Sequence, residues 1–199
     1  MKQTAMTIAY PVGKNLYLNL TNRCPCACTF CIRTMGSSAY GSDPLWLEHE
    51  PSWEEVKAAL DAVDVCSYEE VVFCGFGEPT ERLELLCYLK EQGVRCIRLN
   101  TNGLSDLLHE RKTAQDLHGL VDIVSISLNA GTEEEYRKVT RPKFPNAFAA
   151  LQEFAADCKD SVPTIMYSVV DILPKAELDA AQALADRQGI PLRVRKFEH

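Results

Sequence analysis

Three cysteines, Cys24, Cys28 and Cys31, are the residues of this chain whose types and spacing most clearly indicate chemistry. They follow a strand-like run in a C-x3-C-x2-C pattern. A four-iron, four-sulfur cluster is normally held by four thiolates, so three close thiolates on one loop would bind three irons and leave the fourth open. Structural metal sites are closed, whereas catalytic sites keep one position free. The spacing therefore predicts a catalytic iron–sulfur cluster.

A disulfide framework and a zinc site are the other interpretations of so many cysteines. The count is nine, an odd number, and the N-terminal residues show no long apolar stretch followed by a cleavage site. We therefore expect reduced thiols. Zinc stays open as the less favoured alternative, because Cys26 could add a fourth thiolate; otherwise Cys26 is incidental or redox-sensitive. Cys87 and Cys158 fall on apolar helical stripes and are expected in the core.

A second motif, Gly75-Phe-Gly-Glu-Pro79, follows another strand-like run. It lacks the third glycine of a G-x-G-x-x-G phosphate loop, and Glu78 would repel a phosphate at the start of a helix. A carboxylate beside exposed backbone suits an ammonium group instead. A plain strand-to-helix turn is the alternative interpretation.

Strand-like and helical segments alternate along the chain, which predicts parallel βαβ units with right-handed crossovers. Ser52 with Glu55, and Thr132 with Glu135, predict capping boxes at two helix starts. The predicted strands cover residues 16–20, 71–74, 96–100, 123–128, 165–170 and 192–195. The predicted helices cover 51–63, 82–92, a stretch ending near 119, a segment from 132 to 158, and 175–188.

Six such units form either an open doubly wound sheet or an incomplete barrel. A complete eight-unit barrel takes about 250 residues, more than the 199 present. In both architectures ligands bind at the carboxyl ends of the strands, and both motifs fall there. We expect a single α/β domain over residues 1–199, with an N-terminal extension over about 1–15 and a cluster loop over about 22–50.

Composition excludes some classes of function. The net charge of −7 argues against general nucleic-acid binding, which uses an overall basic surface. No run approaches the roughly 18 apolar residues of a membrane helix. We therefore expect no membrane association and a cytoplasmic location.

The two motifs together resemble those of the radical S-adenosylmethionine (radical SAM) superfamily. C-x3-C-x2-C with an aromatic residue before the last cysteine is its first signature, and Gly75-Phe-Gly-Glu-Pro79 is similar to its Gly-Gly-Glu-Pro signature with Phe76 inserted. The resemblance covers residues 16–195 and implies a partial (βα)6 TIM-like barrel. In detail the chain is similar to the radical SAM proteins associated with TatD-type metal hydrolases, a resemblance that rests on the glycine motif, a Ser-Leu-Asn-Ala-Gly run and the short length.

The resemblance implies two cofactors, a [4Fe–4S] cluster on the three motif cysteines and S-adenosylmethionine on its open iron. Phe30 would lie near the adenine. Gly77 and Glu78 would meet the methionine ammonium group, and Pro79 would shape their turn.

Seven further positions would contact the rest of S-adenosylmethionine. The resemblance implies that Asn100 and Asn102 contact the ribose or methionine part, and that Ser127 and Asn129 contact the ribose. It further implies that Arg141 pairs with the methionine carboxylate and that Ser168 and Val170 contact the adenine. The alternatives are a hairpin turn for Asn102 with Gly103, polar decoration of a strand edge for Ser127 and Asn129, and plain surface charge for Arg141.

The implied reaction is reductive cleavage of S-adenosylmethionine to a 5′-deoxyadenosyl radical, which abstracts hydrogen from a substrate; no catalytic residue is assigned. A low-potential electron donor such as flavodoxin or ferredoxin is the implied partner. Because six units leave a barrel open, we expect a large substrate, such as a peptide or protein, or a partner that completes the site. A glycyl-radical activating enzyme, a nucleic-acid-modifying enzyme and a non-catalytic electron-transfer or metal-binding protein remain alternatives.

Overall fold

A single seven-stranded sheet forms the centre of the protein, whose computed structural model describes residues 3–197. The strands lie in chain order across the sheet; the first pair is antiparallel and all later pairs are parallel. The strands are β1 (Ala9–Val12), β2 (Asn15–Asn19), β3 (Val71–Cys74), β4 (Ile97–Thr101), β5 (Ile123–Ser127), β6 (Thr164–Val170) and β7 (Leu192–Arg195).

Helices connect the parallel strands, as βαβ units require. The six parallel strands β2 to β7 and their connections confirm the predicted partial barrel, which does not close between its first and last strands. The α-helices are α1 (Trp53–Asp61), α2 (Leu86–Glu91), α3 (Ser105–His109), α4 (Glu133–Thr140), α5 (Ala147–Cys158) and α6 (Lys175–Gln188). Short 3-10 helices cover Ile32–Thr34, Val65–Ser67, Pro79–Leu85 and Ala114–Leu117.

The predicted N-terminal extension contains β1, which the sequence did not indicate. Ala9 pairs with Leu18, and a tight turn at Gly13, with φ of 59°, joins the two strands. Proline lacks an N–H donor and is confined to the edges of sheets, so Pro11 in this strand is compatible with its edge position. The hairpin covers the open side of β2.

The segment predicted as one helix from 132 to 158 is two helices. Residues 141–146 separate them and contain Pro142 and Pro145, which interrupt a helix because proline lacks the N–H donor. Thr132 caps α4 through the Glu135 amide, but its own amide is bound by Glu177 rather than by Glu135, so only half of that capping box forms.

Other local predictions are confirmed or adjusted. The Ser52 and Glu55 capping box is present in full, and Cys158 is fully buried; the side chain of Cys87 lies outside the described part of the structure. The helix predicted over 82–92 is α-helical only over Leu86–Glu91; the residues before it are in a 3-10 segment, in which the φ and ψ of Arg82, −133° and 45°, are not helical. No helix within residues 3–197 combines the length and apolar character needed to cross a membrane.

Gly131 lets α6 pack closely against the segment that follows β5. A Cβ atom there would lie 2.5 Å from Ala180 Cβ, and overpacking of this kind costs about 1–3 kcal/mol. We expect Gly131→Ala to lower the free energy of unfolding by about that amount, measured by urea denaturation.

Gly36→Ala is the matched control. The nearest atom to its new Cβ would be Ser38 O at 3.8 Å, and we expect a change within about 0.5 kcal/mol. Equal effects of the two substitutions would show that the packing of α6 does not depend on Gly131.

Candidate active site

One pocket of about 710 Å³ lies at the carboxyl ends of the parallel strands. It joins the cysteine loop to the strand-end residues, as the positions of the two motifs predict. The predicted residues that line it are Cys24, Cys28, Phe30, Cys31, Gly77, Glu78, Pro79, Asn100, Asn102, Ser127, Asn129, Ser168 and Val170.

Arg141 is the one predicted residue that the structure does not bring to this pocket. It is exposed at the end of α4, in a left-handed conformation with φ of 46°. The segment around it holds the cysteine loop instead, since Ala27 N donates to Thr140 O at 3.0 Å and Thr29 N donates to Val139 O at 2.8 Å. The end of α4 thus positions the loop through its backbone.

The cysteine thiols of the loop differ in their electrostatics. A hydrogen bond from Cys26 is the main cause that lowers the pKa of both Cys24 and Cys28, whereas Cys26 has a raised pKa because it is the donor. Burial raises the pKa of Cys31. The thiolate is the form that ligates metals, and the single S–H of Cys26 favours it at Cys24 or at Cys28, whichever accepts the hydrogen bond.

Cys26 is therefore not incidental to the site, because it is buried, lines the pocket and contacts two of the motif cysteines. Within residues 3–197, no three Cys, His, Asp or Glu side chains already converge in a metal-binding arrangement. The suitability of the loop for a cluster rests on its donor set and on the pocket beside it.

Arg33 is a site residue that the sequence analysis missed. Its guanidinium donates to Cys26 O at 2.9 Å and to Phe76 O at 3.4 Å, and it lies 6.0 Å from the Trp46 ring centre. Arg33 also lowers the pKa of Cys24 and Cys28 by its charge. Its place two residues after the last motif cysteine is the only sequence signal for it.

Glu78 is buried, at 3% exposure, and its carboxylate is held inside the protein. Oε1 accepts from Thr101 Oγ1 at 2.6 Å and from the Thr80 hydroxyl and amide at 2.8 and 3.1 Å; Oε2 accepts from Asn102 N at 2.8 Å. Burial raises the pKa of Glu78, and these hydrogen bonds oppose that effect. The carboxylate ties the turn after β3 to the turn after β4.

The two glycines before Glu78 are required by close packing on the end of β2. Gly75 has φ of 101°, and its Cβ would lie 2.8 Å from Asn19 Cα; a Cβ on Gly77 would lie 2.7 Å from the Thr21 methyl carbon. Phe76 between them is buried edge-on against Trp46, with ring centres 5.4 Å apart. The motif is thus packed as a turn against the protein.

Asn129 lines the pocket, and one of its polar atoms is unpaired. It is 5% exposed, has φ of 62°, and its Oδ1 is buried without a hydrogen-bond partner. The backbone N–H of Asn129 donates to Ser168 O at 3.3 Å. Asn129 therefore lies beside Ser127 and Ser168, which are paired residues of β5 and β6. An orphaned buried acceptor costs free energy unless a ligand satisfies it.

The two remaining asparagines connect neighbouring parts of the site. Asn102 Nδ2 lies 3.9 Å from Cys24 Sγ, and its Oδ1 accepts from Leu104 N at 2.9 Å. Asn100 hydrogen-bonds the side chain of Cys74. Asn100 lies in β4, and Asn102 lies in the turn between β4 and α3, so the hairpin alternative for Asn102 is wrong.

The Glu78 network generates a stability prediction. Glu78→Gln replaces one carboxylate oxygen, which accepts hydrogen bonds, with an NH2 group, which cannot accept them. At least one buried donor then loses its acceptor, so we expect the free energy of unfolding to fall by about 1–3 kcal/mol, measured by urea denaturation. Glu81→Gln is the control, because it removes only a 3.6 Å ion pair with the exposed Arg23, worth at most about 1 kcal/mol. A Glu78→Gln protein as stable as this control would contradict the structural role.

Comparison with solved structures shows the same fold at low sequence identity. Streptococcus suis SuiB bound to precursor peptide SuiA has a TM-score of 0.66 at 13% identity, covering 96% of this chain and 40% of that one. SuiB bound to S-adenosylmethionine has a TM-score of 0.59 at 15% identity, covering 92% and 38%. Methylornithine synthase (PylB) has a TM-score of 0.61 at 14% identity, covering 92% and 53%.

The chain therefore spans about half, or less, of the length of these proteins. A search of the curated proteins found no significant match. The Radical SAM superfamily matches residues 18–184, a range that contains the cysteine loop, the glycine turn and all the predicted pocket residues. By this match the chain belongs to the Radical SAM superfamily.

Proposed function

We propose that this chain is the catalytic core of a radical SAM enzyme, with residues 1–199 acting as one domain. The superfamily uses a [4Fe–4S] cluster and S-adenosylmethionine. The observation that carries the proposal is that one pocket joins the three motif cysteines to the polar residues at the strand ends. The eight cysteines whose side chains are described are all free, which agrees with the reducing, cytoplasmic setting that we propose.

Cys24, Cys28 and Cys31 would hold the cluster. The lowered pKa values of Cys24 and Cys28 favour the thiolates that metal binding requires. Cys26 also contacts these two thiols, and this contact is what favours the second candidate, a closed four-thiolate site in a non-catalytic protein.

Asn129 supports binding of S-adenosylmethionine in the rest of the pocket. Its orphaned Oδ1 would accept a hydrogen bond from a ribose hydroxyl, and Ser127 and Ser168 lie beside it. Phe30 and Val170 would supply apolar contacts to the adenine, and Asn100 and Asn102 would face the ribose or methionine part. Arg141 does not line the pocket, so the proposal gives it no ligand contact.

The turn Gly77–Pro79 would meet the methionine ammonium group. Because the Glu78 carboxylate is already bound by Thr80, Thr101 and Asn102, Glu78 acts as a positioning residue that fixes this turn. When bound, the cluster and S-adenosylmethionine together supply a radical that abstracts hydrogen from an unreactive carbon. The chain's part is to orient the bound molecules and to exclude water.

The substrate that we propose is a peptide or protein segment. SuiB, one of the proteins with the same fold, was solved with a precursor peptide, and the open sheet leaves room for a large molecule or a partner protein. A flavodoxin or ferredoxin would supply the electron. The narrower kinship that we propose is with the TatD-associated radical SAM proteins, and a glycyl-radical activating enzyme is the alternative within the class.

The first test concerns the cysteines. We expect anaerobically reconstituted protein to carry a four-iron cluster and to cleave S-adenosylmethionine slowly when reduced. Replacing any one of Cys24, Cys28 or Cys31 with Ala should abolish both, whereas Cys26→Ala should retain the cluster, because only three thiolates hold it. Iron and sulfide analysis, with product chromatography, measures the outcome. Zinc in place of iron, or loss of the metal in Cys26→Ala, would instead support the closed site.

The second test concerns Asn129. Glycine accepts its positive φ without strain, so Asn129→Gly removes the amide alone. We expect the affinity for S-adenosylmethionine of the cluster-loaded protein to fall about tenfold, the equivalent of roughly 1.4 kcal/mol, as measured by equilibrium dialysis.

Glu110→Gly is the matched control, because Glu110 also has a positive φ, of 52°, and lies outside the pocket. The affinity of Glu110→Gly for S-adenosylmethionine should equal that of the unaltered protein. If Asn129→Gly binds S-adenosylmethionine as tightly as this control, the proposed ribose contact is wrong.

A further inference from the structure

The pocket is also lined by cations and tyrosines that the proposed cofactors do not use. The cations are Arg98 of β4, Arg193 and Arg195 of β7, and Lys196. Of the described residues that line the pocket, only Glu78 is a carboxylate, and its oxygens are engaged by internal hydrogen bonds. In a chain with a net charge of −7, this concentration of positive charge is local.

Arg193 and Arg195 stand on one face of β7, because alternate residues of a strand share a face. We call these two side chains the β7 arginine pair. Strand pairing places Arg193 beside Ser168 and Arg195 beside Val170, and Ser168 in turn pairs with Ser127. The β7 arginine pair is therefore the next position along the sheet from the residues proposed to contact S-adenosylmethionine.

The β7 arginine pair is exposed and lines the pocket. Burial raises the pKa of Cys74 and of Tyr17, and the charges of Arg195 and Arg193 respectively oppose that rise. Among residues 3–197, no ion pair includes Arg193 or Arg195. Arg98, by contrast, is paired with Glu70 at 2.6 Å.

The carboxylate that follows β6, the strand paired with β7, is committed elsewhere. Asp171 lies just after β6, its amide donates to Arg195 O at 2.9 Å, and its Oδ1 accepts from Phe197 N at 2.8 Å. Asp171 does not line the pocket. The guanidinium groups are thus available to a ligand.

Two tyrosines, Tyr10 and Tyr17, also line the pocket, and we call them the tyrosine wall. Their ring centres lie 5.8 Å apart. Burial raises the pKa of each, so their hydroxyls stay protonated and can donate hydrogen bonds. Arginine forks and tyrosine hydroxyls are donors suited to oxyanions, and arginine binds carboxylate and phosphate in a bidentate manner.

We infer that the substrate carries a carboxylate or phosphate group that binds the β7 arginine pair, facing the tyrosine wall. This inference rests on the proposed function, since it places the substrate next to the site proposed for S-adenosylmethionine. The cofactor and the substrate would thus contact different residues that line one pocket.

The test uses two probes, inorganic phosphate and glutarate, titrated by calorimetry into the whole chain with its cluster and saturating S-adenosylmethionine. We expect millimolar or tighter binding of at least one probe. The tighter of the two identifies the source, phosphate or carboxylate. Arg193→Gln/Arg195→Gln should weaken that binding about tenfold or more, because charged hydrogen bonds are lost.

The matched control is Lys175→Gln/Arg187→Gln, which removes the same charge from α6 outside the pocket. It should bind both probes within about twofold of the unaltered protein, as expected for a charge removed from an exposed surface far from the ligand. Equal binding by the two double variants, or no binding of either probe by the unaltered protein, would overturn the inference.

Affinity for S-adenosylmethionine separates this inference from its closest rival. Arg193→Gln/Arg195→Gln should bind S-adenosylmethionine as the unaltered protein does; a loss of about tenfold would assign the arginines to the methionine carboxylate and overturn the inference. Failure of the unaltered protein to cleave S-adenosylmethionine would defeat the proposed function, while probe binding that depends on the arginine pair would still establish the anion site.

Discussion

The buried carboxylate of Glu78 is the interaction on which the geometry of the site depends. A carboxylate this deeply buried is tolerated only where donors replace the water it has lost, and here the donors come from two adjacent turns, through Thr80, Thr101 and Asn102. Moving either turn would leave a buried oxygen without a partner. The energetic penalty of burying Glu78 thereby fixes the relative positions of the ends of β3 and β4.

Asn19 performs a similar task at the neighbouring strand end. Its side chain is fully buried; Nδ2 donates to Thr7 O at 3.2 Å and to Leu45 O at 2.8 Å, and Oδ1 accepts from Phe76 N at 3.1 Å. It joins the N-terminal segment, the long loop after the cysteines and the glycine turn. The loop over residues 35–50 contains no helix or strand of its own. It is held to this part of the protein by the hydrogen bond from Asn19 to Leu45 O and by two more between the Asn22 side chain and the Leu47 backbone.

The fold could be predicted from the sequence because the periodicity of apolar residues and the residues that end helices and strands are local properties. The six parallel strands fall within a residue or two of their predicted ends, and Gly93 and Gly189 end helices where expected, both with positive φ. The β1 hairpin was missed because a four-residue edge strand containing proline carries little periodic signal. The break between α4 and α5 was missed although Pro142 and Pro145 mark it.

The site was predicted less completely because its contacts join residues distant in sequence. The motif spacing predicts which cysteines would hold a cluster, but only the fold shows that the Cys26 thiol contacts those of Cys24 and Cys28. Likewise, the sequence places a carboxylate at Glu78 without revealing that residues 101 and 102 already occupy it. Arg141 failed to reach the pocket because its basic run lies at the far end of α4, where the left-handed residue turns the chain toward the cysteine loop.

The charged side chains that line the pocket would orient a bound molecule. The β7 arginine pair is cationic, whereas Glu78, the one carboxylate among the described residues that line the pocket, is engaged by internal hydrogen bonds. Cys74 also lines the pocket, and burial raises its pKa, which favours the neutral thiol. An anionic group is therefore attracted to β7, and because both arginines are exposed, added salt weakens that attraction. A substrate that bears one is thereby oriented with its opposite end toward the proposed radical source.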